Sequence, residues 1–365
     1  MAPVVEALSN VTGLRLAVCG TGQHTELLEQ ALAQFGLAPT HLVRLDRADP
    51  SLDALTAALL TQLPSVVREV RPGWVVVHGD TTSSLAGALC GYHAKAHVAH
   101  VEAGLRTDTL WSPWPEELNR RVVDTIAELH FAPTLGARAN LLREGRPPER
   151  VLVTGNTVVD ALVQMLRRPG HRAALAALLP LEYTGEDDHR RIVVVTCHRR
   201  ESHGEGVASL CRAVRRLAVA YPAARFVFPV HPNPLVLGPA QEILGGLPNA
   251  LLTEPIPYGP FAHLLLRATA VLTDSGGLQE EAVTLGVPVV IARSRTERPE
   301  VLSQRGVSLV GTDTRRIIEA METVLAGPVR PGRLRLDGPF GDGRAADRIA
   351  RALVSGPDTV EPWCE

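Results

Sequence analysis

The stretch from Trp74 to Thr107 reads WVVVHGDTTSSLAGALCGYHAKAHVAHVEAGLRT. Trp74–His78 and Val98–Glu102 are short, valine-rich apolar runs, too brief for helices. Thr82–His93 between them has the spacing of a helix. Strand, helix and strand in so short a stretch make a parallel βαβ unit. Each strand ends in a polar cluster: His78-Gly79-Asp80-Thr81-Thr82 after the first, Val101-Glu102-Ala103-Gly104-Leu105-Arg106 after the second. Open α/β sheets bind ligands beyond the carboxyl ends of their strands, so the segment that decides the fold also nominates a site.

The same rhythm extends in both directions. Further strands are expected at Leu14–Cys19, His41–Leu45, Leu129–Ala132 and Val151–Thr154, and helices at Thr25–Phe35, Leu52–Val70, Glu116–Glu128 and Gly136–Glu144. Arg167–Arg190 breaks the pattern with Pro169-Gly170, Pro180 and the acidic run Glu186-Asp187-Asp188. A second series follows, with strands at Ile192–Thr196, Arg225–Val230, Val271–Thr273 and Pro288–Ala292. Its helices are expected near Gly206–Ala220, Pro260–Arg267, Gly277–Leu285 and Arg315–Leu325. The reading is an α/β protein of two doubly wound, Rossmann-like domains facing a cleft. The N-terminal domain spans 1–166, a connection 167–190 and the C-terminal domain 191–345, with a helix and tail at 346–365 that pack back on the first domain. Met1–Leu8 reads as a helix with no strand before it, so the first domain is expected to be short of its first strand.

Composition narrows the chemistry. The 365 residues carry 37 Lys+Arg against 39 Asp+Glu, a net charge of −2, and no field that favours nucleic acid or an anionic membrane. Lys95 is the one lysine, and it lies between Ala94 and Ala96. A Walker A loop is therefore excluded, and Schiff-base chemistry would have to run through that residue. The five cysteines show no CxxC spacing, and the chain has neither a signal-like start nor an apolar run of membrane length. A cytoplasmic protein is expected. Cys19-Gly20-Thr21-Gly22 holds only half of a GxGxxG fingerprint, which argues against NAD or FAD. His93, His97 and His100 have no companion acid at ligand spacing, so no metal site is expected.

Three more clusters complete the set. Trp114-Pro115-Glu116-Glu117-Leu118-Asn119-Arg120 opens a helix and sets Glu116 and Arg120 four apart on one face. Cys197-His198-Arg199-Arg200-Glu201 follows a strand of the second domain. Asp274-Ser275-Gly276-Gly277 lies between a strand and a helix bearing Glu280 and Glu281. Two glycines before a helix start allow close approach of an anion such as a diphosphate, and the acids suit a ribose diol. Singly, each cluster reads as well as a helix cap or surface ion pair. Together, at strand ends of both domains, they read as one ligand site.

Taken in order, HGDTT at His78, HVEAGLRT at His100, SPWPEELNR at Ser112, TGNTVVDAL at Thr154, HRRES at His198, LTDSGGLQEEA at Leu272 and ERPE at Glu297 resemble the bacterial non-hydrolysing UDP-N-acetylglucosamine 2-epimerases. The resemblance implies a GT-B-like fold, a homodimer, and interconversion of UDP-GlcNAc and UDP-ManNAc without NAD or an obligatory metal. UDP is eliminated to leave a 2-acetamidoglucal and then added back. Carried over residue by residue, Asp80, Glu102 and Glu116 supply the acid and base groups, Arg120 orients them or touches the ligand, and His198 contacts the leaving group. Ser275, Gly276 and Gly277 match the diphosphate turn, Glu281 the ribose ligand, Arg298 a further nucleotide contact and Phe261 the uracil neighbour. Gln23, His24, Arg199 and His231 match positions around the site where some members bind a second UDP-GlcNAc as activator. Two departures stand out: the strand and Gly-Thr-Arg-Pro-Glu turn that normally precede Met-Ala-Pro are absent, and the arginine expected near Leu52–Leu63 is Ala58. A GT-B glycosyltransferase and a truncated, non-catalytic UDP-sugar-binding protein are the alternatives.

Overall fold

The computed structural model describes residues 1–22, 32–45, 49–184, 190–199, 204–329 and 332–363. The chain divides into two compact units, Met1–Ala161 with Pro339–Glu365, and Leu162–Gly338. Both are built from parallel strands wrapped by helices.

In the first unit, α1 (Ala2–Ser9) precedes β1 (Cys19–Gly22) and β2 (His41–Arg44), which pair in parallel. After α2 (Leu52–Val70) come β3 (Trp74–His78), α3 (Thr82–His93), β4 (His97–Val101), α4 (Glu116–Ile126), β5 (Leu129–Ala132), α5 (Leu135–Arg143) and β6 (Val151–Val153). The order β3-β4-β5-β6 is wholly parallel. Among the described residues β1–β2 and β3–β6 are separate sheets. The strand expected at Leu14–Cys19 is observed instead at Cys19–Gly22. Of that stretch, Val18 accepts from the Thr40 and His41 N–H groups, and apolar propensity without a pairing partner does not make a strand.

Helix starts follow local capping chemistry. Ser51 accepts the Ala54 N–H at 3.2 Å, Thr81 the Ser84 N–H at 3.2 Å and Thr134 the Ala137 N–H at 3.0 Å. β5 and β6 are buried along their whole length, as parallel strands covered on both faces must be. One layer packs Leu55, Leu59 and Leu63 of α2 on Val43, Ala86 and Cys90. Another sets Val4 and Leu8 of α1 with Ile349 against Ala99, Val101, Leu129 and Phe131.

Across the division between the units runs α6 (Thr157–Arg167), followed by α7 (His171–Leu178) and α8 (Leu181–Thr184) in the stretch that reads in the sequence as a connection. Glu186, Asp187 and Asp188 lie outside the described residues. The second unit continues with β7 (Ile192–Thr196), α9 (Glu205–Ala220), β8 (Arg225–Pro229), α10 (Pro234–Leu244), β9 (Ala250–Thr253), α11 (Tyr258–Arg267), β10 (Ala270–Thr273), α12 (Gly276–Thr284), β11 (Val289–Ile291), β12 (Val307–Leu309) and α13 (Thr314–Leu325). The parallel order β12-β11-β10-β7-β8-β9 reverses direction between β7 and β10. That is the switch point of a doubly wound sheet, where loops diverge and a crevice opens. Here the Cys197 and Asp274 loops emerge side by side, since Thr196 and Thr273 are paired in register.

The last helix, α14 (Ala345–Ser355), returns to the first unit. Asp160 of α6 caps it, accepting the Ala345 and Ala346 N–H groups at 3.2 and 2.8 Å. Burial pushes the Asp160 carboxyl up to about 6, against those hydrogen bonds, which favour the anion. A carboxyl raised on folding binds its proton more tightly in the native state, so its contribution to stability declines as pH rises from its ordinary value toward about 6. Denaturant titrations should therefore show Asp160→Asn gaining on the wild type between about pH 4 and about pH 7. A constant difference across that range would show that the group does not titrate there.

Candidate active site

In the first unit Asp80, Glu102 and Arg120 meet at the carboxyl edge of β3 and β4. Asp80 follows β3 and Glu102 follows β4, and the Gly79 N–H donates to the Val101 carbonyl at 2.9 Å. Arg120, on α4, donates from Nη2 to Asp80 Oδ2 at 2.5 Å, and its Nη1 lies 3.4 Å from Glu117 Oε2. Its partner is thus Asp80, not Glu116 one turn earlier. The Asn119 amide holds the Asp80 carbonyl at 2.9 Å. Glu116 is half-buried and forms no hydrogen bond among the described residues.

Glu102 has a φ of +64°, a region that side-chain-bearing residues rarely occupy. Its Oε1 accepts from the Asn156 amide at 3.2 Å, and its Oε2 lies where a Gly79 Cβ would come within 3.0 Å. Gly104, two residues on, has a φ of +86°, and a Cβ there would sit 2.3 Å from the Ala137 carbonyl oxygen. The turn carrying Glu102 therefore depends on glycine.

The second unit assembles a cationic site around the start of α12. Asp274, fully buried, accepts the His198 N–H at 3.1 Å, the Arg199 N–H at 3.0 Å and the Cys197 thiol at 3.3 Å. It thereby locks the loop after β7 to the loop after β10. His198 is partly exposed, with Nδ1 3.4 Å from Asp274 Oδ1. Desolvation pulls its pKa below the ordinary histidine range; Asp274 opposes this, and Arg199, His231 and Arg293 add to it.

Buried Glu297 gathers three guanidiniums: Arg199 at 3.0 Å, Arg293 at 2.8 Å and Arg298 at 2.7 Å. Arg298 also donates to Glu280. A Cβ on Gly276 would lie 2.5 Å from Arg298 Nη1 and 3.1 Å from Arg199 Nη2, so these cations lie directly against the helix start. At Gly277 no atom lies within 4 Å of the same position. Ser275 is the N-cap but makes no side-chain cap bond, and the N–H groups of a helix start without such a cap suit an anion.

Glu281 is buried farther along α12, where its Oε1 accepts the Tyr258 hydroxyl at 2.5 Å. Burial pushes its carboxyl up to about 7, with the Tyr258 bond opposing. Phe261 is half-buried on α11, one turn after Tyr258. His231 is exposed after β8 and accepts the Asn233 N–H at 3.1 Å within its own turn. Of the expected activator residues, Gln23 and His24 lie outside the described residues, while Arg199 is held by Glu297.

Several functional partners escape sequence reasoning. Asn156, 54 residues from Glu102, stands in the quoted string TGNTVVDAL but with nothing there to pair it with Glu102, and Tyr258 has no local mark. Glu297 does stand in a quoted motif, ERPE, but only the structure shows the three arginines converging on it.

Comparison with known proteins agrees over nearly the whole chain. The family model for UDP-N-acetylglucosamine 2-epimerase matches residues 6–354. The UDP-N-acetylglucosamine 2-epimerase of Yersinia pestis is 43% identical over 354 residues, covering 97% of this chain and 94% of its own. That of Escherichia coli K12 is 41% identical over 354 residues, with the same coverage of 97% and 94%. A crystal structure of the Neisseria meningitidis UDP-GlcNAc 2-epimerase bound to UDP-GlcNAc superposes with a TM-score of 0.91 at 38% identity, covering 97% of this chain and 96% of that one. In sequence and fold alike, the chain belongs to the UDP-N-acetylglucosamine 2-epimerase family.

Proposed function

We propose that the protein interconverts UDP-GlcNAc and UDP-ManNAc by reversible epimerisation at C2 of the sugar. The observation that carries this reading is the agreement over 97% of the chain with a solved epimerase bound to UDP-GlcNAc. The reaction begins as the C1–O bond breaks and its electron pair leaves with UDP. As the ring becomes oxocarbenium-like, the C2 proton turns acidic and passes to a carboxylate, giving 2-acetamidoglucal. A proton delivered to the opposite face of C2 and return of UDP to C1 complete the inversion.

Such chemistry needs carboxylates beside the sugar and positive charge beside the departing diphosphate. Asp80, Glu102 and Glu116 are assigned to the first task, with Arg120 orienting Asp80 through its hydrogen bond. The start of α12, Arg199 and Arg298 are assigned to the second. Arg199, Arg293 and Arg298 meet Glu280 and Glu297 here, and the Arg199 Nε has no hydrogen-bond partner among the described residues. His198, with its pKa lowered, serves the leaving group as a neutral N–H donor. Glu281 is the ribose ligand and Phe261 the uracil neighbour. No helix among the described residues is long and apolar enough to cross a membrane, and Cys19, Cys90, Cys197 and Cys211 form no disulfide among the described residues. These features support a cytoplasmic enzyme, which we take to be a homodimer.

The test is direct. Proton NMR of the protein with UDP-GlcNAc should show UDP-ManNAc accumulating to a fixed ratio from either side; accumulation of free ManNAc with UDP would assign hydrolysis instead. Glu116→Gln and Asp80→Asn should each lower kcat by roughly 10²–10⁴. Near-normal turnover in both would overturn the assignment of the acids. UDP affinity supplies a second check through Glu281. A ribose hydroxyl donates to the carboxylate but not to the protonated acid in the same way, so calorimetric affinity should strengthen from about pH 6 to about pH 8. Glu281→Gln should bind more weakly with a flatter profile, and an unchanged profile would remove Glu281 from the ribose site.

A further inference from the structure

His100 and Asp124 form a buried hydrogen-bonded pair that the chemistry above does not use. Their side chains are 0% and 1% exposed. His100 belongs to β4, two residues before Glu102; Asp124 is on α4, one turn beyond Arg120. The ring Nδ1 lies 2.6 Å from Asp124 Oδ1, and Nε2 lies 2.8 Å from the Gly79 carbonyl oxygen. A carbonyl oxygen only accepts, so Nε2 carries a proton. An ionised carboxylate also only accepts, so Nδ1 carries one too.

Asp124 is the ionised partner this requires. Two donors other than His100, the Arg106 guanidinium and the Gly104 N–H, reach its Oδ2, and its carboxyl is held at about 2 against the effect of burial. Arg106 Nη2 donates to Asp124 Oδ2 at 2.8 Å, and its Nε and Nη2 both reach Glu144, at 2.8 and 2.6 Å. His130 completes the surroundings, its Nε2 2.9 Å from the Asp124 carbonyl oxygen, and burial pulls its pKa down against the attraction of Asp124. A buried ion pair of this kind is weak evidence of stabilisation, because desolvation offsets much of the attraction.

Its geometry suggests what it does. Asp124 Oδ2 also accepts the Gly104 N–H at 3.3 Å. One carboxylate therefore grips the chain two residues before Glu102, through His100, and two residues after it, through Gly104. Through the far side of the same imidazole it grips the Gly79 carbonyl, in the peptide that leads into Asp80. Glu102 has a φ of +64°, a conformation that a side-chain-bearing residue keeps only where the surroundings hold it, while Gly79 and Gly104, at +63° and +86°, adopt theirs freely. Resting on the reading that Asp80 and Glu102 act on the substrate, we propose that His100 is a positioning residue. It is an imidazolium clamped between Asp124 and the Gly79 carbonyl, and it fixes the two catalytic carboxylates relative to each other.

Two measurements test this. In long-range proton–nitrogen spectra of the wild-type protein labelled with ¹⁵N-histidine, the His100 ring, assigned by through-bond connectivity to its own backbone, should carry protons on both nitrogens. A ring with one unprotonated nitrogen overturns the proposal, and this readout needs no variant. For folded His100→Gln, which keeps an N–H donor but loses the charge, kcat should fall by about a hundredfold. KM and UDP affinity should stay within about threefold of wild type. A kcat within about threefold of wild type, with only thermal stability lowered, contradicts a positioning role. Failure of the underlying reading looks different: Asp80→Asn and Glu102→Gln would then keep their turnover while the doubly protonated ring remained.

Discussion

A parallel strand that ends at the edge of its sheet leaves backbone donors and acceptors without ladder partners, and where such an edge is buried those groups must be satisfied some other way. Each unit of this protein meets the constraint with a fully buried aspartate. Asp124 in the first unit accepts the Gly104 N–H and, through His100, secures the Gly79 carbonyl. Asp274 in the second accepts the N–H groups of His198 and Arg199. In both cases the backbone so fixed carries the residues assigned to chemistry. The groups that satisfy the sheet edge and the groups that build the site are parts of one arrangement.

The two units divide the electrostatic work. The first carries Asp80, Glu102 and Glu116, the acids proposed to receive and return a proton beside a ring that develops positive charge, with Arg120 bonded to Asp80. The second sets a helix start, three arginines and a histidine of lowered pKa around Gly276, suited to a diphosphate that gains negative charge. Elimination of UDP demands both kinds of stabilisation at once.

Much of this was legible in the sequence, and the reason is local. Helices α2 and α3 and strands β3, β5 and β7 match the expected limits residue for residue, because apolar period and caps such as Ser51 and Thr81 are local signals. β9 and β12, at the two edges of the second sheet, were not anticipated: Ala250-Leu-Leu-Thr253 and Val307-Ser-Leu309 are too short to show a period. At the site, acids after strands could be named from their position. What holds them could not. The bonds from Asn156 to Glu102, His100 to Asp124 and Tyr258 to Glu281 span 54, 24 and 23 residues. They exist only once the sheet has brought those positions together.

The central claim is that the C2 proton leaves and returns while UDP is detached. Incubating the protein with UDP-GlcNAc in D₂O and reading C2 of both nucleotide sugars by NMR tests it most directly. The account predicts deuterium at C2 of the UDP-ManNAc formed and of the UDP-GlcNAc recovered. UDP-ManNAc that keeps its original C2 hydrogen, or sugar transferred to an acceptor with C2 untouched, would contradict it.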